Sequence, residues 1–432
     1  MFPALIAGIL TGFPVAFVML GLAALFGLAT FGLPGLLHQS LLTIDSVATT
    51  NVLAAVPLFI FMGAMFEQSG IAARLFDVIH LWTRRIPGGV AIGTVLMCVI
   101  FAATSGVVGA TETVVGLLAI PAMLRYAYDK GLISGTICAG GSLGTIIPPS
   151  VLAVVIGPVA SADVGRILFG MVVPGLMLAL SYVTYIFVRC LLRPQDGPRL
   201  PKMADEPSIA VRIRMTMTVL VPPVIVIVAV LGSMMIGLAT PTEASATGAI
   251  GTVALTLAYG QLTRPVLWDS LLRTVRITAM ILTIVLCGSL FATVFVGTGG
   301  LETLRTVFAS KFGPWGTLSV IMAITFLAGF MLDPLVIILV IVPIAHPLVT
   351  GAGFDIVWFC VLFLVMLQTA YLTPPMAPSI FYLRGIAPPE ITLQHMYTGI
   401  WPFIGLQIVV VVLICVYPEV VTWLPNALLT GR

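Results

Sequence analysis

The sequence predicts an all-α polytopic membrane protein made of two inverted-topology repeats, each with a re-entrant hairpin and a discontinuous helix. Three observations predict it. Of the 432 residues, 60% are hydrophobic and only 8% are charged, where a soluble domain carries about 25% charged residues. Apolar runs long enough to cross a bilayer, about 20 residues each, recur along the chain. Two Gly/Pro-rich stretches then interrupt such runs, Gly140 to Ser150 (GGSLGTIIPPS) and Leu367 to Ser379 (LQTAYLTPPMAPS), one in each half. Proline removes a backbone donor and clashes with the preceding turn, so a helix opens there. Opened backbone at membrane depth survives only where it is buried in protein or lines a wet cavity. A pair of such breaks in corresponding positions points to a transport site.

In order, the first repeat offers a short apolar run at 2–10, Pro14, and a run to Phe31. A polar link at 39–51 and a span at about 52–66 follow. Residues 71–85 mix Arg74, Asp77, His80, Arg84 and Arg85 with Leu75, Phe76, Ile79, Leu81 and Trp82, which suits a helix lying along the interface. Residues 88–124 read as a re-entrant hairpin with its tip near 104–111, 133–160 as the first broken helix, and 167–188 as a plain span. The hydrophilic stretch 189–214 cannot continue a helix through its Pro-Gln-Asp-Gly-Pro segment and divides the chain. The second repeat then has spans at 216–238 and 243–260, a basic link at 264–276, a span at 277–296 and an interfacial stretch at 301–312. A hairpin at 315–348 with its tip at 329–334, a broken helix at 357–383 and a span at 400–417 complete it.

As domains, these become scaffold helices at 1–70 and 215–297, interfacial arms at 71–87 and 298–314, and transport elements at 88–165 and 315–385. A scaffold-side span at 166–193, a cytoplasmic linker at 194–214 and the last span with the C-terminus at 386–432 fill the rest.

The landmarks keep nearly constant offsets: Pro14 to Pro241, Gly63 to Gly288, Pro121 to Pro343 and Pro148 to Pro374 are separated by 227, 225, 222 and 226 residues. Each repeat crosses the membrane five times, an odd number, so the second copy is inverted. The first helix is short beside 216–238, and the expectation is that the native chain starts upstream of Met1. With the central linker in the cytoplasm, 15 of the 19 Lys and Arg fall on the cytoplasmic side, leaving Arg166, Arg305, Lys311 and Arg432 outside. That is the positive-inside bias, and it places both termini in the periplasm.

Other function classes find no support. The six cysteines are scattered in apolar runs without a CxxC pair, and the four histidines are dispersed, so no metal centre or disulfide framework is expected. No HExxH, GxSxG or P-loop pattern occurs, which argues against an enzyme or an ATP-driven pump. No basic face with interleaved aromatics suggests nucleic acid. No cofactor is expected.

What the breaks offer is a transport site. Opened carbonyls with Ser/Thr hydroxyls make hard-oxygen cages suited to Na⁺, and half-helix N-termini suit a carboxylate. Thr104, Ser105 and Gly106 are expected to face Ser142, Gly144 and Thr145. Gly329 and Asp333 are expected to face Thr369, Leu372 and Thr373. An anionic substrate would lie between these two cation sites, near Thr104, Thr111, Ser150 and Ser379. Asp333 is either a ligand or a hairpin-helix cap. Glu112 and Glu243 are possible transport groups, although Glu243 could simply occupy the first turn of a helix after Thr240-Pro241.

The motifs PVAFVMLG, AAVPLFIFMGAMFEQSGIAARLFD, GGSLGTIIPPS, GLATPTEASATGA, GFMLDPLVIILVIVPIAHPLV and YLTPPMAPSIFYLRGIAP resemble the large permease subunit of tripartite ATP-independent periplasmic (TRAP) transporters, over essentially the whole chain. The resemblance implies an elevator-type secondary transporter of the bacterial inner membrane, a symporter driven by sodium. It implies two partners, a small four-helix membrane subunit and a periplasmic substrate-binding protein, and an organic acid as substrate. It carries one sodium site onto Ser105, Gly106, Ser142, Gly144 and Thr145, and a second onto Gly329, Asp333, Thr369 and Thr373. The chain departs from the family at the first tip, where many members have a Gly-Ser pair followed by an Asp and this sequence has Val107 and Thr111. This version of the tip resembles the branch linked to 2-oxo monocarboxylates and to aromatic or polyol-type compounds. The alternatives are a sodium/carboxylate symporter of similar fold that works without a binding protein, and a membrane-embedded enzyme or flippase.

Overall fold

The structure, a computed structural model, describes residues 1–106, 109–200, 207–302, 306, 312–330, 332–374 and 377–429, with the backbone alone for Phe2, Ser105, Ala110 and Leu429. The described residues form helices and no strands, and seven of the helices are long and apolar enough to cross a membrane. The first repeat runs α1 (Phe2–Leu10), α2 (Val15–Thr49), a 3₁₀ turn (Asn51–Ala54) into α3 (Ala55–Gln68), and the arm α4 (Ile71–Thr83). Its hairpin is α5 (Gly89–Ser105) and α6 (Ala110–Arg125), its broken helix α7 (Lys130–Ser142) and α8 (Val151–Val159), and its last span α9 (Val164–Leu192). The second repeat runs α10 (Ile209–Met215), a π turn, α11 (Val221–Met235), α12 (Pro241–Ala258) and α13 (Arg264–Gly297). Its hairpin is α14 (Pro314–Ala328) and α15 (Pro334–Gly351), its broken helix α16 (Ile356–Leu372) and α17 (Pro378–Ile386), and its last span α18 (Leu393–Val416). The second interfacial stretch, expected at 301–312, lies largely outside the described residues.

Packing between the repeats is reciprocal. α8 packs on α15 while α17 packs on α6, and α7 packs on α18 while α16 packs on α9. A two-fold relation produces this pattern, in which each contact is returned by its counterpart. Local signals repeat as well. Asp129 caps α7 by accepting from Leu132 N at 2.8 Å, and Asp355 caps α16 by accepting from Trp358 N at 2.8 Å. The two lie 226 residues apart, the offset of the Pro148/Pro374 pair. The broken helices form the centre: every residue of α7 from Gly131 to Ser142 is buried, whereas α2 and α11 leave most of their apolar surface to the lipid.

Several boundaries differ from the sequence reading. The polar link expected at 39–51 is helical through Thr49, so α2 is 35 residues long, bent where Gly32 takes φ 67° ahead of Pro34. Polar residues did not end it, because their hydroxyls bond back to the preceding turn: Thr43 to Gln39 O at 2.9 Å and Thr49 to Asp45 O at 2.7 Å. The basic link expected at 264–276 is likewise the start of the 34-residue α13, opened by Thr263 as cap and Pro265 in its first turn. The last span begins at Leu393, earlier than expected, with Thr392 as its cap. A further helix, α19 (Glu419–Leu429), follows and packs on α9, where Arg166 donates to Asn426 Oδ1 at 2.7 Å.

The linker is docked at its start. Gly88 N donates to Gly197 O at 3.1 Å, Asp129 N to Asp196 O at 2.9 Å and Leu200 N to Arg84 O at 3.1 Å. Arg189 bridges Asp129 at 2.9 Å and Asp196 at 2.8 Å. The linker thus straps the base of the first hairpin to the start of α7.

Candidate functional site

Each hairpin tip meets a helix break. In the first repeat the break comes at the prolines and not at the glycines, contrary to the reading of 140–150 as opened throughout. Gly140 and Gly141 are still in α7, and Leu143–Thr145 form a 3₁₀ turn before the cis Pro148-Pro149 bond. The glycines serve close approach instead. A Cβ on Gly140 would sit 2.7 Å from Cys98 Sγ, and one on Gly141 would run into the Glu112 side chain. At the tip Gly106 takes φ 57°, open to glycine without strain, and its carbonyl accepts from Val151 N at 3.4 Å. Gly109, at φ 90°, leaves room for Tyr382: a Cβ there would lie 2.8 Å from the ring. The first tip is thereby held between the start of α8 and the middle of α17. In the second repeat α16 ends at Leu372 and α17 starts at Pro378, and a Cβ on Gly329 of the tip would collide with Ala370 of α16.

Around the first break, Thr104, Thr111, Ser142, Thr145 and Ser150 are buried. Ser142 Oγ donates to Ala139 O at 2.8 Å, Thr145 Oγ1 to Ser142 O at 2.9 Å, and Ser150 Oγ to Thr145 O at 2.9 Å. Thr104 Oγ1 donates to Phe101 O of its own helix at 3.0 Å. The Ser105 side chain and Val107 lie outside the described residues. Around the second break, Thr369 Oγ1 donates to Val365 O at 2.9 Å and Thr373 Oγ1 to Thr369 O at 2.6 Å. Each hydroxyl spends its proton on a main-chain carbonyl and keeps lone pairs, an arrangement that fits a hard cation. Asp333 is exposed and caps α15, its Oδ1 accepting from Leu335 N at 2.9 Å. Glu243 has the structural role offered as its simpler explanation: its Oε2 accepts from Thr240 N at 2.7 Å and Thr240 Oγ1 at 2.9 Å on the exposed start of α12.

The two breaks also touch each other, through residues outside the expected site. Gln368 of α16 donates from Nε2 to Ser142 Oγ at 3.2 Å. Cys138 of α7 donates from Sγ to Ser379 O at 3.7 Å. Among the described residues, four buried polar atoms in this region have no hydrogen-bond partner: Glu112 Oε1, Gln368 Oε1, Tyr371 Oη and Ser379 Oγ. Buried polar groups are normally paired, so this cluster is the candidate binding locus. Gln368 and Tyr371 could have been found in the sequence, since a polar pair at i, i+3 beside a Pro-Pro break is rare inside an apolar run.

Helix breaks paired across a two-fold, each closed by a hairpin tip, define a membrane permease. The family described as the DctM component of tripartite ATP-independent periplasmic transporters matches residues 2–420, and the chain belongs to that family. It is 29% identical over 410 residues to the C4-dicarboxylate TRAP transporter large permease protein of Pseudomonas aeruginosa, covering 92% of this chain and 94% of that one. It is 28% identical over 425 residues to the isethionate TRAP transporter permease protein DctMQ of Oleidesulfovibrio alaskensis, covering 95% of this chain and 65% of that longer protein. Among solved structures, the Alcanivorax borkumensis YdaH transporter superposes with a TM-score of 0.68 over 95% of this chain and 98% of that one, at 15% identity; this likeness concerns the fold. The chain is therefore a multi-pass permease of the bacterial inner membrane, a transporter component and not an enzyme. It works with a substrate-binding protein and a small membrane subunit.

Proposed function

We propose that this permease subunit imports an organic acid by sodium symport through an elevator motion. The carrying observation is the convergence of two tip-closed helix breaks on one buried polar cluster. Sodium would be held at Ser105, Gly106, Ser142, Gly144 and Thr145, and again at Gly329, Asp333, Thr369 and Thr373. The acid would lie between, near Thr104, Thr111, Ser150 and Ser379, with its carboxylate drawn to the N-terminal ends of α8 and α17, where helix dipoles favour anions. The moving body would comprise 88–165 and 315–385; α9, expected from the sequence as a scaffold-side span, and α18 pack on the broken helices and would move with them. The remaining helices of each repeat would form the scaffold, joined to that body by the arms. Both termini would face the periplasm, where a binding protein delivers the acid, and a separate small four-helix subunit would complete the membrane part.

The relatives named above support an anionic cargo, since one carries a C4-dicarboxylate and another isethionate in its name. The decisive experiment reconstitutes the chain with both partners and measures uptake under an imposed sodium gradient. Uptake that needs all three parts and collapses without the gradient supports the proposal. Uptake by this chain alone would favour the symporter that needs no binding protein, and uptake indifferent to sodium would end the coupling claim.

A further inference from the structure

We infer that Glu112 is a specificity-determining substrate ligand, and that the cargo is an acid bearing a hydroxyl group hydrogen-bonded to it. The inference rests on the transport reading above and narrows its substrate class. Glu112 is fully buried, and its Oε2 caps the first turn of α6 by accepting from Gly109 N at 2.6 Å. Glu243 occupies the same place in α12 and shows what a cap alone looks like: one oxygen takes both the main chain and the hydroxyl of Thr240, and the side chain is exposed to solvent. Glu112 has a glycine at the cap position, hence no hydroxyl, and among the described residues its buried Oε1 has no hydrogen-bond partner and no Lys or Arg pairs with it. As a carboxylate this oxygen can only accept, and as a neutral acid it can also donate, so the group that completes it must be able to do either.

The neighbours say which group. Among the described residues Tyr371 Oη and Ser379 Oγ are also buried without a hydrogen-bond partner; the Glu112 side chain packs at Gly141 of α7, and one turn back on that helix Cys138 donates to Ser379 O. A substrate hydroxyl both donates and accepts, so it can serve Glu112 in either form, whereas a carboxylate can only accept. With Glu112 ionised, a second carboxylate directed at it would be repelled, at about 4 kcal/mol for unit charges 4 Å apart at an effective dielectric of 20. The carboxylate of the cargo is therefore left to the helix N-termini, and its hydroxyl to Glu112.

The test uses the assembled membrane complex in nanodiscs with sodium present. Dissociation constants from thermal-shift titrations are compared for matched acids with and without a hydroxyl: lactate against propionate, malate against succinate, gluconate against hexanoate. The hydroxylated member of at least one pair should bind ~10-fold tighter or more, as a site built to hydrogen-bond a hydroxyl discriminates. In Glu112→Gln, which keeps the shape, and in Glu112→Ala, that preference should shrink to about 3-fold or less while the hydroxyl-free partner is unaffected or improved. Equal binding within every pair, or a preference that survives both substitutions, overturns the inference and leaves the transport reading standing. If no acid of any kind shifts the complex, both fall.

Discussion

Replacing Gly399 with Ala tests whether the last span and the first broken helix form one rigid body. Gly399 of α18 meets Gly131 of α7: a Cβ there would run into the Gly131 carbonyl oxygen and lie 2.8 Å from its carbonyl carbon. Four residues on, a Cβ at Gly135 would strike Gly399 O and lie 2.7 Å from its carbonyl carbon. Normal carbon contacts are about 3.5–4.0 Å, so the overlap is roughly 1 Å or more. Both partners are backbone and cannot rotate away, so the helices must separate, as expected where small residues let membrane helices approach. Overpacking of this kind costs about 1–3 kcal/mol. Gly405, six residues along the same helix, has nothing within 4 Å of its ideal Cβ, and Ala there should gain up to about 1 kcal/mol of helix propensity. Thermal unfolding of the purified protein, followed by tryptophan fluorescence, compares the two. Trp358 is buried and donates to Ile414 O at the far end of α18 at 2.9 Å, so it reports when α18 comes away from the core. Gly399→Ala should unfold at a clearly lower temperature than wild type and Gly405→Ala at the same or a higher one. Equal behaviour of the two variants would refute the claim that backbone contact joins α7 to α18.

Two further outcomes are expected. Asp333→Asn should raise the sodium concentration needed for half-maximal uptake about 10-fold or more, the order lost with a charged ligand; an unchanged sodium response removes Asp333 from the site. In the arm helix α4, His80 stacks between Phe76 and Tyr126 at centroid distances of 6.0 and 6.2 Å, and burial, with Arg84 second, pulls its pKa below the usual value. The folded protein thus favours neutral imidazole, so its contribution to stability is full above about pH 6.5 and is lost as pH falls from there towards the lower folded value. Protection of the 71–83 amides against hydrogen exchange, corrected for the intrinsic pH dependence of the exchange rate, should fall on acidification in wild type and stay constant in His80→Phe; the same loss of protection in both would show that His80 is not the titrating group.

The class of fold was legible because bilayer physics leaves few options for a chain this apolar, and because proline acts locally. Pro148 and Pro374 mark the two breaks in the structure as they do in the sequence. Helix ends without proline were harder. Gln39, Ser40, Thr43 and Asp45 look like a link, yet in a helix near the bilayer surface hydroxyls are satisfied by the preceding turn and polar faces can reach water. The glycines misled for a different reason. Gly140 and Gly141 suggest unwinding, but what they provide is room for Cys98 and Glu112, and room depends on a partner helix that no local pattern reveals. The same holds for Glu112 itself. The spacing Gly109-Ala110-Thr111-Glu112 reads as a helix start as well as Thr240-Pro241-Thr242-Glu243 does, and the missing cap hydroxyl gains its meaning only from burial, which the sequence does not show.

The exchange of half-helices bears on how two cation sites and one substrate could act together. α8 leaves the first break and packs on the second hairpin, while α17 leaves the second break and packs on the first. A displacement of either hairpin is therefore transmitted to the far half of the other repeat's broken helix. Close-packed contacts are not continuously deformable, so one site cannot open while its counterpart stays closed without breaking an α8–α15 or α17–α6 interface. Gln368 reinforces this by joining the two breaks directly through Ser142. In the proposed cycle, loading either cation cage would order the backbone on which the other cage and the acid both depend. Coupling of cation and substrate would then follow from shared walls, with no need for direct contact between the ions and the cargo.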